Sequence, residues 1–527
     1  YNVAVGYEAG KAVTTGTRNT LIGSLAGDSI TTGAFNVAVG YAALETETGY
    51  GFNVAVGYGA LRTQNAGAYA YNVGIGKDAG QSVTTGVNNV FIGGLVADAI
   101  TTGSANVAIG KNAMGSADGA ESNNVAIGFG TLASMNSDAS NYNVAVGYSA
   151  GTAVTTGTQN TIIGGLAGDA LTTGSWNVAI GKDALGATNV GEYNVAVGGQ
   201  AMLNNVDGSR NTALGYGTLQ NMDPASAVDT YNIAVGFNAG LSVSTGVNNT
   251  IVGGLAGDAL TTGTNNVAMG YGALGSEDTG GQNVAIGVNA LNTANYDGNG
   301  LNVAIGYNAG VLVTTGMQNT ILGSLAGDAI TDGDSNIVIG YDSGGVLTEG
   351  GQNTLVGDQA AGALTTGDEN TYIGRRSGSN ATTGSNNLSI GAGSSLSSAT
   401  VSNEANIFNG SVVARFQGAA SAWTFVSDER DKKDIEDLEL GLDFIDKLKP
   451  RKFKWDLRDS DTDKGKESSG FIAQEIKEVL DETGVDYTGI VDTNNPDQYT
   501  VAQANIIPML VKAIQELKQE IQQLKNK

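Results

Sequence analysis

The sequence predicts a mainly β chain, a parallel β-solenoid of about 17-residue coils over residues 1–410, then a small α+β domain ending in a coiled-coil helix. Three observations carry that expectation. The pattern Asn-Val-Ala-Val-Gly and its variants starts 24 times between Asn2 and Asn406, and 17 of the 23 intervals are 17 residues long. Composition changes abruptly near residue 426: residues 1–426 hold 75 of the 80 glycines and only 10 Lys/Arg against 28 Asp/Glu, whereas the last 101 residues hold 16 basic and 23 acidic groups. The closing stretch repeats Ile and Leu at alternating steps of three and four.

Each copy of the pattern reads as a short strand, because β-branched residues alternate with Ala in period two and a Gly closes the run. Val37 and Val39 then face one way and Ala38 the other. The Val-Thr-Thr-Gly or Ile-Thr-Thr-Gly segment reads as the second strand of the coil. Helices are disfavoured, since each of these frequent glycines costs roughly 1 kcal/mol in a helix. Coils this small bury a face only by stacking; at about 4.8 Å per rung the 24 copies make a rod about 115 Å long. Asn2, Asn19, Asn36, Asn53, Asn72, Asn89 and their successors form a structural ladder in which each side-chain amide bonds to the next coil. The small Ala between two valines is expected to meet sister chains around a threefold axis.

A longer period overlies the first, since NVAVGYEAG at Asn2 returns in variant form at Asn72, Asn143, Asn232 and Asn302. Long intervals follow Asn53, Asn106, Asn124, Asn211, Asn283 and Asn387, the largest carrying Gln220 to Thr230. Loops on a rigid scaffold are where binding residues concentrate. Asp28, Asp169, Asp258 and Asp328, each in Leu-Ala-Gly-Asp, read as polar turns rather than calcium turns. Gly270, Gly272 and Gly275 match GxGxxG with no βαβ unit around them and read as two repeat turns. Arg375 and Arg376 read as a solvated turn.

Composition narrows the chemistry. The chain has no Cys and no His, which excludes disulfides, thiolate sites and His-based triads, and no metal or cofactor is expected. A net charge of −25 leaves no basic stripe for phosphates, so neither nucleic acid nor membrane insertion is expected. The chain starts at Tyr1 inside a repeat and is expected to be part of a longer one.

The strings NVAVG and NVAIG, followed by Ala-Gly turns, resemble the head repeats of trimeric autotransporter adhesins. That resemblance implies a left-handed parallel β-roll in each of three chains through most of residues 1–410. The coil here is longer than in those repeats, which leaves open whether each chain winds its own roll or three chains interwind.

Residues 411–426 form a transition. Beyond them DIEDLELGLDFIDKL reads as helical, RKFKW as a strand and GFIAQEIKEVL as helical, and the stretch from about 503 to 527 reads as a coiled coil. Ile507, Leu510, Ile514, Leu517, Ile521 and Leu524 form an a/d seam for oligomerisation. Ile at a and Leu at d would by itself favour a dimer.

Ordered blocks run through this region: Ser427-Asp428-x-Arg430-x-Lys432 with Ile435, Lys449-Pro450, Phe453-Lys454-Trp455, and Gly470-Phe471-Ile472-Ala473-Gln474-Glu475. With them, residues 427–527 resemble the intramolecular chaperone auto-processing domain of phage tail spikes, tail fibres and endosialidases. The resemblance implies a homotrimer whose chaperone releases itself by one cut between Val426 and Ser427, a single-turnover Ser-Lys endopeptidase without external substrate. Ser427 would be the nucleophile and Lys432, desolvated and neutral, its base. Asp428 and Arg430 would support the turn. Asp431 and Asp434 depart from the family pattern, and an acid beside Lys432 favours its charged form.

These readings lead to a structural virion fibre or spike shaft for host attachment, a homotrimer with a host-surface receptor of glycan or protein as partner. It is expected in the virion, assembled in host cytoplasm and extracellular in action. Two other readings stand beside it. A bacterial surface trimeric adhesin would end in membrane-barrel strands, where this chain ends Gln-Leu-Lys-Asn-Lys. A polysaccharide-degrading tail spike would need paired carboxylates and aromatic platforms, against two tryptophans, Trp176 and Trp423, in residues 1–426. An ice-binding rod using its Thr-Thr-Gly column is a third.

Overall fold

The computed structural model describes residues 1–410, 413–417, 424–425, 432–454, 456, 465–485, 489–493 and 499–527. It divides into two compact units, Tyr1–Val426 and Ser427–Lys527. The first is a parallel β-solenoid with one three-residue strand per regular coil, from Val3–Val5 to Leu388–Ile390, each paired in register with the next, as in Ala38 opposite Ala55. The last rung, Glu404–Phe408, is followed by the antiparallel strands Val413–Gln417 and Thr424–Phe425.

The Thr-Thr-Gly segments are not second strands. They form bends whose amides converge on one carbonyl: the N–H groups of Thr14, Thr15 and Gly16 all donate to Thr31 O, at 2.9, 3.3 and 3.1 Å. Thr14 Oγ1 donates to the same oxygen at 3.0 Å. Adjacent Thr hydroxyls draw the backbone into this local arrangement in competition with a ladder. Among the described shaft residues a second parallel ladder forms only at Gly208–Ser209 against Val228–Asp229, with single bridges at Ser122–Ser140 and Gly281–Asn299.

The asparagine ladder is present, with a different wiring. Asn36 N–H donates to Asn19 Oδ1 at 2.9 Å, while Asn19 Nδ2 donates to Gly33 O at 2.8 Å. Side chain therefore meets backbone at every rung, and direct amide-to-amide bonds are added at some, such as Asn53 Nδ2 to Asn36 Oδ1 at 3.3 Å. The ladder survives the longest interval, with Asn232 N–H on Asn211 Oδ1 at 2.9 Å. It ends on Glu404, not Asn406: Glu404 N–H donates to Asn387 Oδ1 at 3.0 Å, and Asn406 pairs opposite the inward residue Ser389. The final interval is thus a regular 17 residues, with no insertion after Asn387. Glu404 is buried in an ion pair with Arg415 at 3.1 Å.

Ala38 does not face a shared axis. It is fully buried inside its own coil, as are Ala145 and Ala304, and at Ala38 the small side chain makes room for a large one six residues on. Ala38 is matched with Leu44, Ala126 with Leu132 and Ala179 with Leu185; Leu21, Ile162 and Ile251 are matched with Gly27, Gly168 and Gly257. Of these two places one holds the large side chain and the other a small one, as close packing requires. The coils at Asn72, Asn143, Asn232 and Asn302 are small at both places and borrow volume from their neighbours. A Cβ at Gly151, whose φ is +59°, would lie 2.9 Å from Ile162 Cδ1 and 3.0 Å from Leu132 Cδ2. This is the physical content of the longer period.

In the second unit α1 (Leu442–Lys447), α2 (Ala473–Thr483) and α3 (Ile507–Lys525) surround a core of Leu440, Phe444, Ile476, Ile490, Ile506 and Met509. The strand Arg451–Lys454 pairs antiparallel with Glu467–Gly470. Helix begins only at Leu442, so most of DIEDLEL is irregular.

Asn160→Ala should strip Asn177 N–H and Gly174 O of their side-chain partners, which now stand at 2.9 and 3.0 Å. Two buried groups left unpaired cost about 2–5 kcal/mol. Hydrogen exchange at Asn177 should accelerate accordingly, and unchanged exchange would contradict the ladder's structural role.

Candidate functional site

Val426, Ser427, Asp428, Arg430 and Asp431 lie outside the described residues. Lys432 is described and exposed, and Asp434 follows in left-handed backbone at φ 55°. Of the other blocks, Phe453 and Lys454 sit on the strand Arg451–Lys454, and Gly470 to Glu475 leads from Glu467–Gly470 into α2. Arg451 grips Glu475 with Nε at 3.0 Å and a second nitrogen at 2.5 Å. That hydrogen bonding holds the Glu475 carboxyl below its usual range. The two later blocks are thereby tied to each other across 24 residues.

Helix α3 carries two apolar stripes. Met509 and Ala513 are buried, and Glu516 on the same face accepts the Leu442 N–H at 2.6 Å, capping the start of α1. A Cβ at Gly441 would collide with that carboxylate, so the glycine makes room for the cap. Lys512 Nζ donates to Leu438 O. The second stripe is the predicted seam, and Ile507, Leu510, Ile514, Leu517, Ile521 and Leu524 are all exposed, Leu524 to 71%.

The shaft presents a comparable face. The outward positions held by Val37 and Val39 continue as Val54 and Val56, Val73 and Ile75, Val90 and Ile92, and on to Leu388 and Ile390. Nearly all are Val, Ile, Leu, Met or Thr and are half-buried or exposed. The residue before each ladder asparagine turns the corner in left-handed backbone, which throws its side chain outward: Phe35 has φ 62° and Phe52 φ 65°. Their rings stack at 4.8 Å, and Phe52 stacks on Tyr71 at 5.2 Å.

The long coils follow a rule that sequence reasoning missed. The coil beneath each of those starting at Asn53, Asn124, Asn211 and Asn283 buries a polar side chain that caps its own corner. Glu47 accepts Tyr50 N–H at 3.0 Å, Glu121 accepts Gly119 and Ser137 N–H at 3.0 and 3.1 Å, Asn205 accepts Gly208 N–H at 2.9 Å, and Glu277 accepts Gly280 N–H. Long coils also reach back to the ladder. Gln64 Oε1 accepts from Asn72 at 2.6 Å, Thr230 Oγ1 donates to Asn211 at 2.7 Å, and Tyr296 OH donates to Asn283 at 2.8 Å. Burial pushes the Tyr296 hydroxyl's pKa up. The signal was available at two of these positions: Glu47 and Glu277 stand where the coils beneath have Ile30 and Leu260.

Asp118, Glu121 and Asp138 bring three carboxylates together, with oxygens within 4.8 Å of one another. Both Glu121 oxygens accept backbone N–H groups, so corner capping accounts for its burial. Gly270, Gly272 and Gly275 lie in the turn after the strand Val267–Met269, with no helix. Arg376 is exposed and donates to Gln359 at 2.9 Å. Burial lifts the carboxyls of Asp28, Asp98, Asp169, Asp258 and Asp328 above their ordinary range, with Glu45 adding to this at Asp28 and Asp342 at Asp328. Glu47 and Glu277 are raised by burial as well.

Residues 427–485 match the family described as chaperone of endosialidase. The match begins at the residue where the second compact unit begins. A β-solenoid followed by such a segment fits a tail spike with a C-terminal chaperone domain. No curated protein and no solved structure matches the chain.

Two outcomes follow. Acids with raised native pKa bind protons more tightly folded than unfolded, so their penalty is absent below the ordinary carboxylate range near 4 and grows as pH rises through the native values. Acidifying from about pH 7 to about pH 4.5 should therefore slow shaft unfolding in guanidinium, and Asp169→Asn should flatten the dependence; faster unfolding in acid would contradict it. In the second unit, Glu516→Ala should destabilise by about 1 kcal/mol through loss of the α1 cap, read as a lower midpoint for that unit's thermal transition.

Proposed function

We propose that the chain is the shaft of a virion fibre or spike for host attachment, a homotrimer assembled by its C-terminal chaperone segment. The observation that carries this reading is the match of residues 427–485, joined to a long β-solenoid. Two exposed apolar surfaces support the trimer. A soluble monomer rarely exposes a contiguous patch beyond a few hundred Å², and the valine face runs the whole series of rungs with the periodicity of the chain itself. Only another copy offers the same repeat over the same length. The valine face, rather than the alanine face, is thus where sister shafts meet. The α3 seam joins the chaperone segments in the same way.

Three chains held in register by a terminal module begin pairing at one end, which offsets the slow search of non-local β assembly. The segment then leaves by one cut between Val426 and Ser427, with Ser427 as nucleophile and Lys432 as base. The shaft acts extracellularly, carried on the virion, after assembly in the host cytoplasm.

Intact and native mass of the purified product test this together. Wild type should give trimers of a chain ending at Val426, and Ser427→Ala trimers of the full 527 residues. Lys432→Ala should also stay uncut, and raising the pH should speed the wild-type cut if deprotonation of Lys432 limits it. A wild-type trimer that stays whole on long incubation excludes self-cleavage. A monomer excludes the assembly reading.

A further inference from the structure

The longest coil, from Asn211 to Tyr231, builds something that the others do not. Its extra residues lay Val228–Asp229 alongside Gly208–Ser209 as a second parallel ladder. Between this ladder and the coils beneath opens a cleft of about 530 Å³, within the range of ordinary ligand sites. Thr173, Val190, Glu192 and Ser209 line it from the regular coils, Val228 and Asp229 from the insertion.

The insertion is held in place rather than merely tolerated. Asp229 forms an ion pair with Arg210 at 2.8 Å and accepts the Tyr231 hydroxyl at 3.1 Å. Arg210 in turn lies 4.7 Å over the Tyr193 ring, which stacks on Trp176 at 6.1 Å. Four successive corner residues, Trp176, Tyr193, Arg210 and Tyr231, thus brace one wall of the cleft through Asp229. Thr230, next in the chain, anchors the same end of the insertion again, its N–H on Ser209 O at 3.0 Å and its hydroxyl on the asparagine ladder.

The geometry points to a binding site for a neutral, N-acetylated oligosaccharide in this cleft. Glu192 and Asp229 offer carboxylate oxygens that accept from sugar hydroxyls and from an acetamido N–H. The Ser209 hydroxyl already accepts the Glu192 N–H at 3.0 Å, which leaves its proton to donate to a carbonyl or ring oxygen. Val190 and Val228 give the apolar surface that an acetamido methyl and the C–H face of a pyranose need. Arg210 balances the charge of Asp229, and the remaining Glu192 carboxylate on a chain of net charge −25 disfavours an anionic glycan. The inference deepens the attachment reading and takes its ligand class from it.

The test titrates the purified full chain with three probes by ligand-observed NMR: chitohexaose, cellohexaose and a hyaluronan hexasaccharide. Chitohexaose should bind, cellohexaose more weakly and hyaluronan least. Glu192→Ala should weaken chitohexaose about ten-fold or more, the scale of one lost hydrogen bond to a charged group, and Val228→Ser should weaken it several-fold through lost apolar contact. Both positions are exposed, and a matched thermal transition confirms the fold of each variant. No binding of chitohexaose, a preference for hyaluronan, or variants that bind as wild type overturns the proposal. Labelled protein applied to a panel of bacterial cells separates the two readings. Wild type and Glu192→Ala adhering equally sinks the cleft and spares attachment, whereas wild type adhering to no cell sinks attachment while the titration still decides the cleft.

Discussion

One constraint governs the shaft: a corner of backbone, closed off from water, must satisfy its polar groups within a coil of 17 residues. The buried asparagine does this twice over. Its Oδ1 takes the N–H of the asparagine above, and its Nδ2 takes the carbonyl at the end of its own coil. A buried peptide group without a partner is too costly to repeat at every rung, so the asparagine recurs where strand residues drift among Val, Ile, Thr and Leu. Everything else in the coil is free to vary around it. Insertions of up to four residues leave the ladder intact, and Asn232 N–H still reaches Asn211 Oδ1 across the longest coil.

Packing imposes the second layer of order. Between the strand centre and the place six residues on, a regular coil holds one large side chain, and coils that are small at both places depend on the coils above and below. Such dependence makes neighbouring coils a cooperative group. It explains why a coil of the type at Asn72 directly follows each of the coils starting at Asn53, Asn124, Asn211 and Asn283, which close one group before the next begins. The capping side chains Glu47, Glu121, Asn205 and Glu277 belong to the same logic, since each supplies from below the acceptor that a displaced corner above no longer provides.

The second unit divides the labour of α3 between two faces. Met509, Ala513 and Glu516 complete a small core with α1, while the heptad seam stays outside it. A single helix therefore folds its own domain and still leaves an apolar stripe exposed. A unit so small buries little apolar surface by itself, and the association proposed for the seam would add to it.

Much was legible in the sequence because the repeat is a direct record of backbone geometry. Period and strand alternation predicted parallel rungs and set Val37 and Val39 on the face opposite Ala38. The asparagine spacing predicted the ladder, and the four ordered blocks pointed to the family that residues 427–485 match. What a linear pattern cannot carry is the direction of a face and the partner of a group. Ala38 small between two valines fits a crowded axis as well as a crowded coil, and only the presence of Leu44 six residues on, folded against it, decides for the coil. Thr-Thr-Gly has strand-forming residues, yet three amides gathered on one carbonyl make it a bend. Asn406 continues the motif in letters, but pairing puts Glu404 on the ladder, because register is set by hydrogen bonds between rungs and not by residue identity. The cleft at Val228 was written only as extra length; the tertiary structure alone brought it against Glu192 and Thr173, through contacts between coils that sequence spacing does not record.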